Sequence, residues 1–296
     1  MADQATGTGW IRWHTVGLVA IVALMIVVGY AVGGSWGWLL NLVLLTVLAA
    51  LLGHGITGRL SGLLIGERNA MSLSRFQLVA WTVVVLSALF TAVFHNLAAG
   101  VDPSAALTIA IPGELWALMG ISTASLVGSP LILSNKRAKK PSRAEKQQLV
   151  TVLAAAEGVE EQEITERKQT RGHVLVNTSP ADAKLSDLFR GEEVGNAALL
   201  DLGKVQMFYF TIILLATYGL LLGRSLEGDT VIAQFPALGE GMVTLLGISH
   251  AGYLANKAAP HSGAGAADEA DDGTLPLGAA AGGGGDVPAS QAGRGK

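Results

Sequence analysis

Read for hydrophobic and polar positions, the chain divides into six long apolar runs separated by polar connections. The runs cover about residues 16–32, 36–52, 77–98, 114–133, 205–222 and 237–256. Crossing the hydrocarbon core takes about 20 mostly apolar residues, so each run predicts a membrane-spanning helix. The expected fold class is all-α: a polytopic membrane helix bundle with six transmembrane helices. The first run reads as a signal anchor and not a cleavable signal peptide. Only Arg12 precedes it, no small-residue cleavage site stands out, and the second run follows after three residues.

The polar connections differ in charge. Arg59, Arg68 and Arg75 lie between runs two and three, and eleven basic residues lie between Lys136 and Arg190. Segments 33–35 and 99–113 carry none, and the connection after run five carries only Arg224. Lys and Arg collect on the cytoplasmic side, so both termini are expected in the cytoplasm of a cell with this protein in its plasma or inner membrane. Trp10, Trp13, Trp36, Trp38, Trp81 and Trp116 fall near run ends, where the headgroup level suits an apolar ring with a polar N–H.

Segment 135–203 is the one sizeable polar connection. Lys136, Arg137, Lys139 and Lys140 follow a run directly and form a candidate patch for anionic lipid, worth about 1 kcal/mol per basic residue; simple retention of charge on the inner side is the first reading of them. Ser142 and Glu145 fit a capping box, with a helix to about Glu157 and Gly158 beyond it. The string HVLVN at 173–177 reads as one strand. Eleven acidic residues balance the eleven basic ones, and large apolar residues are few, so the segment is expected to rest on the membrane or on a partner. Two stretches, 59–68 with Leu60, Leu63 and Leu64, and 185–189 with Leu185, Leu188 and Phe189, suit the headgroup interface. Segment 260–296, rich in Gly and Ala with Asp268, Glu269, Asp271 and Asp272 among its polar residues, reads as a disordered tail.

Gly-Ile-Ser occurs at 120–122 and again at 247–249, and a Gln stands near the start of the preceding run in each case, at Gln77 and Gln206. Runs three and four thus read as one helical hairpin and runs five and six as its parallel copy. The implied divisions are an accessory pair over 1–58, a first hairpin over 59–134, the loop domain over 135–203, a second hairpin over 204–259, and the tail. Small residues recur at every fourth position, as Gly120, Ala124 and Gly128 and as Gly247, Ala251 and Ala255. Such spacing lets helix backbones approach and makes these residues the candidate surface for self-association. A second, more polar line runs through Ser122, Ser125 and Ser129, echoed by Ser249, Gly252 and Asn256. It reads first as packing, and second as the lining of a path for water, ions or a small solute, with Ser122, Ser125, Ser249 and Asn256 as its binding residues. Glu114 and Glu240 sit at the outer ends of runs four and six, where carboxylates are favoured at helix N-termini.

Ser122 in run four and His250 in run six also suggest nucleophile and base. In six-run topology with a Ser–His pair the chain resembles the rhomboid intramembrane proteases. That resemblance implies a catalytic Ser122 activated by His250, with oxyanion donors in a water-filled cavity. The chain departs from it at Thr123, where the family has Gly, and in the second run, where the family's His/Asn pair is missing. The duplication explains Gly-Ile-Ser without catalysis, since Ser249 repeats it. The string Gly53-His-Gly-Ile-Thr-Gly58 matches a dinucleotide fingerprint, but follows a membrane run in place of a strand and reads as a helix-ending turn. His14, His54, His95, His173, His250 and His261 are scattered without ligand spacing, so no metal or other cofactor is expected.

Composition agrees with the membrane reading: 50% of residues are hydrophobic and 15% charged, where soluble domains carry about 25% charged residues. The absence of cysteine removes disulfides, thiolate nucleophiles and Cys-held metal. A net charge of −3 provides no field for nucleic acid, and no nucleic-acid partner is expected. The function expected is that of a non-enzymatic membrane scaffold or anchor whose cytosolic loop binds an unidentified cytosolic protein or anionic lipid. A conduit between the two hairpins is second and the protease third.

Overall fold

The computed structural model describes residues 10–228, 230–263 and 273–277. In chain order its helices are α1 (Arg12–Ala31), α2 (Gly34–Thr57), α3 (Leu73–Ala98), the short α4 (Pro103–Ala106), α5 (Gly113–Arg137), α6 (Arg143–Glu157) and α7 (Glu161–Arg167). Two strands, β1 (Lys168–Arg171) and β2 (Val174–Asn177), then precede α8 (Leu202–Ser225) and α9 (Glu240–Ala258). The molecule is a helical membrane bundle in which five helices, α1, α2, α3, α5 and α8, are long and apolar enough to cross a bilayer. The sixth run forms α9, but Glu240, His250, Asn256 and Lys257 keep this 19-residue helix below the apolarity of the other five.

α9 packs against both α5 and α8, α3 packs against α5 and α8, and α2 packs against α3 and α8. α1 is outermost, touching α2 and α3. Trp38, Trp81, Leu115, Leu118, Tyr218, Phe235 and Leu246 fill the centre. Trp38 and Trp81, expected at the headgroups, are therefore core residues, whereas Trp10, Trp13, Trp36 and Trp116 are exposed. Trp38 reaches inward because α8 offers no side chain at Gly219 and Gly223, where a Cβ would stand 3.4 Å from the indole. Its Nε1–H donates to Ser87 Oγ at 3.1 Å. Asn41 donates to Thr91 Oγ1 at 3.1 Å, and Gln77 donates to Thr211 Oγ1 at 2.6 Å. Such bonds hold helices together where no hydrophobic effect acts between them.

The connections sort to two ends. At one, Asn96 of α3 exchanges two hydrogen bonds with Ile232, and Ala110 exchanges two with Ala233 and Phe235. These stitch 99–112 to 230–239. At the other end, segment 59–72, segment 138–201 and residues beyond α9 form one cap. α2 ends there at Gly58, which has φ 72°. Just beyond this turn the chain folds back on α2, and Gly62 approaches Gly53 so closely that a Cβ on Gly62 would lie 2.4 Å from the Gly53 carbonyl oxygen. This backbone contact accounts for the glycine-rich string.

Within the cap, α6 begins at Ser142 and ends at Gly158, as its sequence implies, but the Ser142 side chain makes no capping bond. Glu145 instead accepts the backbone N–H of Gly263. β1 and β2 pair antiparallel with Lys168 opposite Asn177. Leu149, Val150 and Leu153 of α6 pack on Ile164, Leu175, Val194 and Leu275, and a fully buried side chain of this kind contributes about 1.5–3 kcal/mol against water. The cap thus has a core of its own. Leu275 lies in the expected disordered tail yet is 5% exposed, and Thr170 N–H donates to Gly273 O at 2.8 Å. Residues 260–263 and 273–277 are thus ordered on the cap; the rest of the tail lies outside the described residues. Leu188, expected at the headgroup interface, is buried against Ile65, Met71, Leu73 and Met207, while Leu185 and Leu60 remain exposed.

Candidate functional site

The strongest concentration of chemistry is the junction between cap and bundle. Residues 192–194 run antiparallel beside β2, with Leu175 N–H donating to Glu192 O at 3.0 Å and Val194 N–H donating to His173 O at 2.9 Å. Side chains alternate along such a segment, so Glu192 and Glu193 are directed to opposite sides.

Glu192 faces the bundle. It pairs with Lys204 at the start of α8 at 2.9 Å, with Arg68 at 3.5 Å, and with Lys257 near the end of α9. Burial pushes its pKa upward, but the charges of Arg68, Lys204 and Lys257 outweigh that and hold it well below the usual carboxylate range. Lys257 also donates to Ser129 Oγ and, at 3.0 Å, to Tyr253 OH. Lys204 donates further to Arg190 O at 2.7 Å.

Glu193 faces the other way. It accepts from Lys136 Nζ at 2.5 Å and pairs with His261 Nδ1 at 3.0 Å. Lys136 in turn donates to the carbonyls of Lys257 at 2.5 Å and Ala259 at 2.6 Å. A cation there satisfies the last carbonyls of α9 and meets the negative end of its dipole. Four segments distant in sequence thus converge on two adjacent glutamates. The β-hairpin docks onto the same place through Gly172, whose φ is 57° and where a Cβ would lie 2.3 Å from Arg137 O.

This revises the expected lipid patch. Lys136 is buried in an ion pair and is not a surface charge. Arg137 pairs with Glu67 at 3.2 Å. Lys139 and Lys140 are exposed, and Lys140 O accepts from the His173 ring at 2.9 Å.

Inside the bundle the serines of the polar lines of α5 and α9 turn inward and the small-residue lines turn mostly outward. Ser122, Ser125, Ser129 and Ser249 are buried, whereas Gly120, Ala124, Ala251 and Ala255 are exposed and Gly128 and Gly247 half-buried. Of the small residues only Gly128 and Gly247 face the partner helix, beside Leu254 and Ile121; Ser125 and His250 lie in the contact between α5 and α9. Ser125 Oγ meets His250 Nδ1 at 2.6 Å. Ser122, the expected nucleophile, makes no bond to His250, and its Oγ, Ser249 Oγ and His250 Nε2 are buried without protein partners. Asn256 is exposed, outside the buried contact that holds Ser122 and Ser125. It borders a groove of about 600 Å³ that also includes Gln206, Ser249 and Leu202. His14 and His54, distant in sequence, meet at 3.0 Å where α1 begins and α2 ends; His95 lies at the opposite end beside Thr230 O at 3.1 Å.

No family model, curated protein or solved structure matches the chain. The site therefore rests on its own geometry. Sequence reasoning missed Glu192, Glu193, Lys257 and Tyr253. The one signal was a pair of adjacent glutamates in a turn-rich stretch just before a run, together with basic residues at the ends of runs five and six.

Proposed function

We propose that the protein is a non-enzymatic, six-span scaffold of the plasma membrane, built on a duplicated hairpin, that fixes a small cytosolic domain at the bilayer surface as a dock for a protein partner. The observation that carries this reading is the Glu192–Glu193 junction. Buried ion pairs hold the cap to α5, α8, α9 and the segment before α3 at once. A loop that merely connected two spans needs no such fixation. Breaking one partner of a buried pair costs about 3–5 kcal/mol, so the cap does not swing freely on its helices. The exposed face of α6, with Gln148, Val152, Ala155 and Ala156 at helical spacing, is the surface so presented. The outward small residues Gly120, Ala124, Ala251 and Ala255 suit a second copy.

The natural absence of cysteine makes the topology testable without background. Single cysteines at Lys139 and Thr165 should react with a membrane-impermeant maleimide only from the cytosolic side, and those at Asp102 and Glu227 only from outside. Reaction of position 139 from outside refutes the orientation. Docking is tested by co-purification: Val152→Glu should release a bound partner while leaving abundance unchanged.

A second reading, the conduit, draws on one observation. Ser122 Oγ, Ser249 Oγ and His250 Nε2 are buried polar atoms without protein partners, and such groups in a protein interior call for water. Proteoliposome flux lost in Ser122→Leu or Ser249→Leu would favour it.

A further inference from the structure

We propose that the cavity between the start of α3 and the end of α5 binds a phosphate group, contributed by an anionic phospholipid at the bilayer surface. The cavity is about 260 Å³, and the basic residues lining it are Arg68, Arg75, Arg137 and Lys257. Against these four cations stand two carboxylates, Glu67 and Glu192. Neither neutralises the site. Glu67 is largely exposed and engages Arg137, and Glu192 is shared among Arg68, Lys257 and, outside the cavity, Lys204.

Two donors are left over. Among the described residues the guanidinium of Arg75 has no hydrogen-bond or ion-pair partner, although the residue is half-buried. Arg137 Nε is buried and also unpartnered. A partly desolvated guanidinium without a counter-charge is costly. Planar, multidentate donors of this kind match the oxygens of an oxyanion, and donors arriving from separate helices suit a tetrahedral phosphate, which has more oxygens to share than a carboxylate. The backbone adds to the match. Ser72 begins the 26-residue α3 without a capping bond from its side chain, and both Ser72 and Arg75 line the cavity. The first amide N–H groups of a long helix and the positive end of its dipole favour an anion.

The opposite wall is apolar. Leu126, Pro130 and Leu133 of α5 line it, and α5 is one of the apolar helices. A headgroup phosphate among the arginines therefore places its glycerol and acyl chains along α5. A free phosphate satisfies the arginines but leaves this wall bare. The lipid source thus rests on the proposed membrane setting, whereas the phosphate chemistry does not.

The test uses the full chain in dodecyl maltoside micelles, titrated separately with dioleoyl phosphatidylglycerol, dioleoyl phosphatidylcholine and inorganic phosphate, with the thermal unfolding midpoint as readout. Phosphatidylglycerol should raise the midpoint saturably and phosphatidylcholine should not. Arg75→Gln should weaken the apparent affinity on the order of tenfold, the worth of one charge-assisted hydrogen bond, while the exposed Lys139→Gln changes nothing. If Arg75→Gln does not accumulate, Arg137→Lys, which keeps the charge but loses the buried Nε, should weaken binding in its place. A response to phosphatidylglycerol alone supports the lipid source. A saturable response to inorganic phosphate that competes with the lipid supports the phosphate site with a soluble source. No saturable response, an undiminished one in both arginine variants, or equal losses in Lys139→Gln overturns the site. Extraction of the protein from membranes only by detergent tests the membrane setting separately.

Discussion

Replacing Glu192 by Gln removes one negative charge from between three cations and changes almost nothing else. The carboxylate lies 2.9 Å from Lys204 Nζ and 3.5 Å from Arg68, and contacts Lys257. With an effective dielectric constant of about 20, the attraction to Lys204 alone is roughly 6 kcal/mol before desolvation. Most of that offsets the cost of taking both ions out of water, so the net worth of the pair is small. The variant, however, strands the cations. Lys257 and Lys204, with side chains 6% and 3% exposed, keep the desolvation cost and lose the compensation. The expected loss is therefore that of a broken buried pair, about 3–5 kcal/mol. For a domain of 150–250 residues this corresponds to a fall of roughly 6–20 °C in the unfolding midpoint. The assay is thermal unfolding of the detergent-purified chain, followed by circular dichroism and light scattering. Glu192→Gln combined with Lys257→Met removes the stranded ammonium as well and should recover about 1–3 kcal/mol, the coupling expected of residues in direct contact. If Glu192→Gln unfolds with the parent, the junction does not hold the cap. If the double variant is no better than the single one, Lys257 is not its principal partner.

Three further outcomes are expected. Burial raises the pKa of Glu157, but hydrogen bonds from Lys184 and Arg190 and the charge of Lys168 outweigh it and hold it at about 2 against an ordinary 4.5. The folded pKa is the lower one, so its stabilisation is complete above the unfolded value and is lost as pH falls toward 2; midpoints measured across that window should drop less steeply in Glu157→Gln. Gly223→Leu drives side-chain atoms into the Trp38 ring, which a Cβ alone would meet at 3.4 Å; overpacking of this kind should cost about 1–3 kcal/mol, read as a lower midpoint, with Gly219→Ala milder. Leu275→Asp should detach residues 273–277 from the cap core, losing up to about 3 kcal/mol of apolar burial and accelerating limited proteolysis beyond α9.

The bundle was largely legible because long apolar runs have few alternatives: five of the six became helices fit to cross a bilayer, and α6 starts and stops where Ser142 and Gly158 mark it. The basic connections lie together at one end, as their charge implied. Depth within the bundle was less legible. Trp38 and Trp81 sit near run ends, yet which way a ring turns depends on the neighbouring helix. Here Gly219 and Gly223 make room on α8, far away in sequence. The same holds for α5 and α9. Helical spacing separates a small line from a polar line, but does not say which one meets the partner helix; here Ser125 bonds His250 and Ser129 bonds Lys257 across it. The junction was least legible. Glu192 and Glu193 stand in a segment with as many acidic as basic residues, where any charge reads as solvated. Their partners Arg68 and Lys257 are far from them along the chain, and ion pairing carries no periodic signature. The tail was misjudged at Leu275 because a single apolar residue among glycines and alanines has no pattern to reveal it.

The cap is made from three stretches of chain that are synthesised far apart in time. Glu192 and Glu193 emerge from the ribosome long before Lys257 and His261, and Leu275 follows later still. Until then each of the two carboxylates lacks one of its partners and α6 lacks one wall of its core. A chain interrupted before residue 257 therefore carries a cap whose ion pairs are incomplete and whose small core stands open on one side.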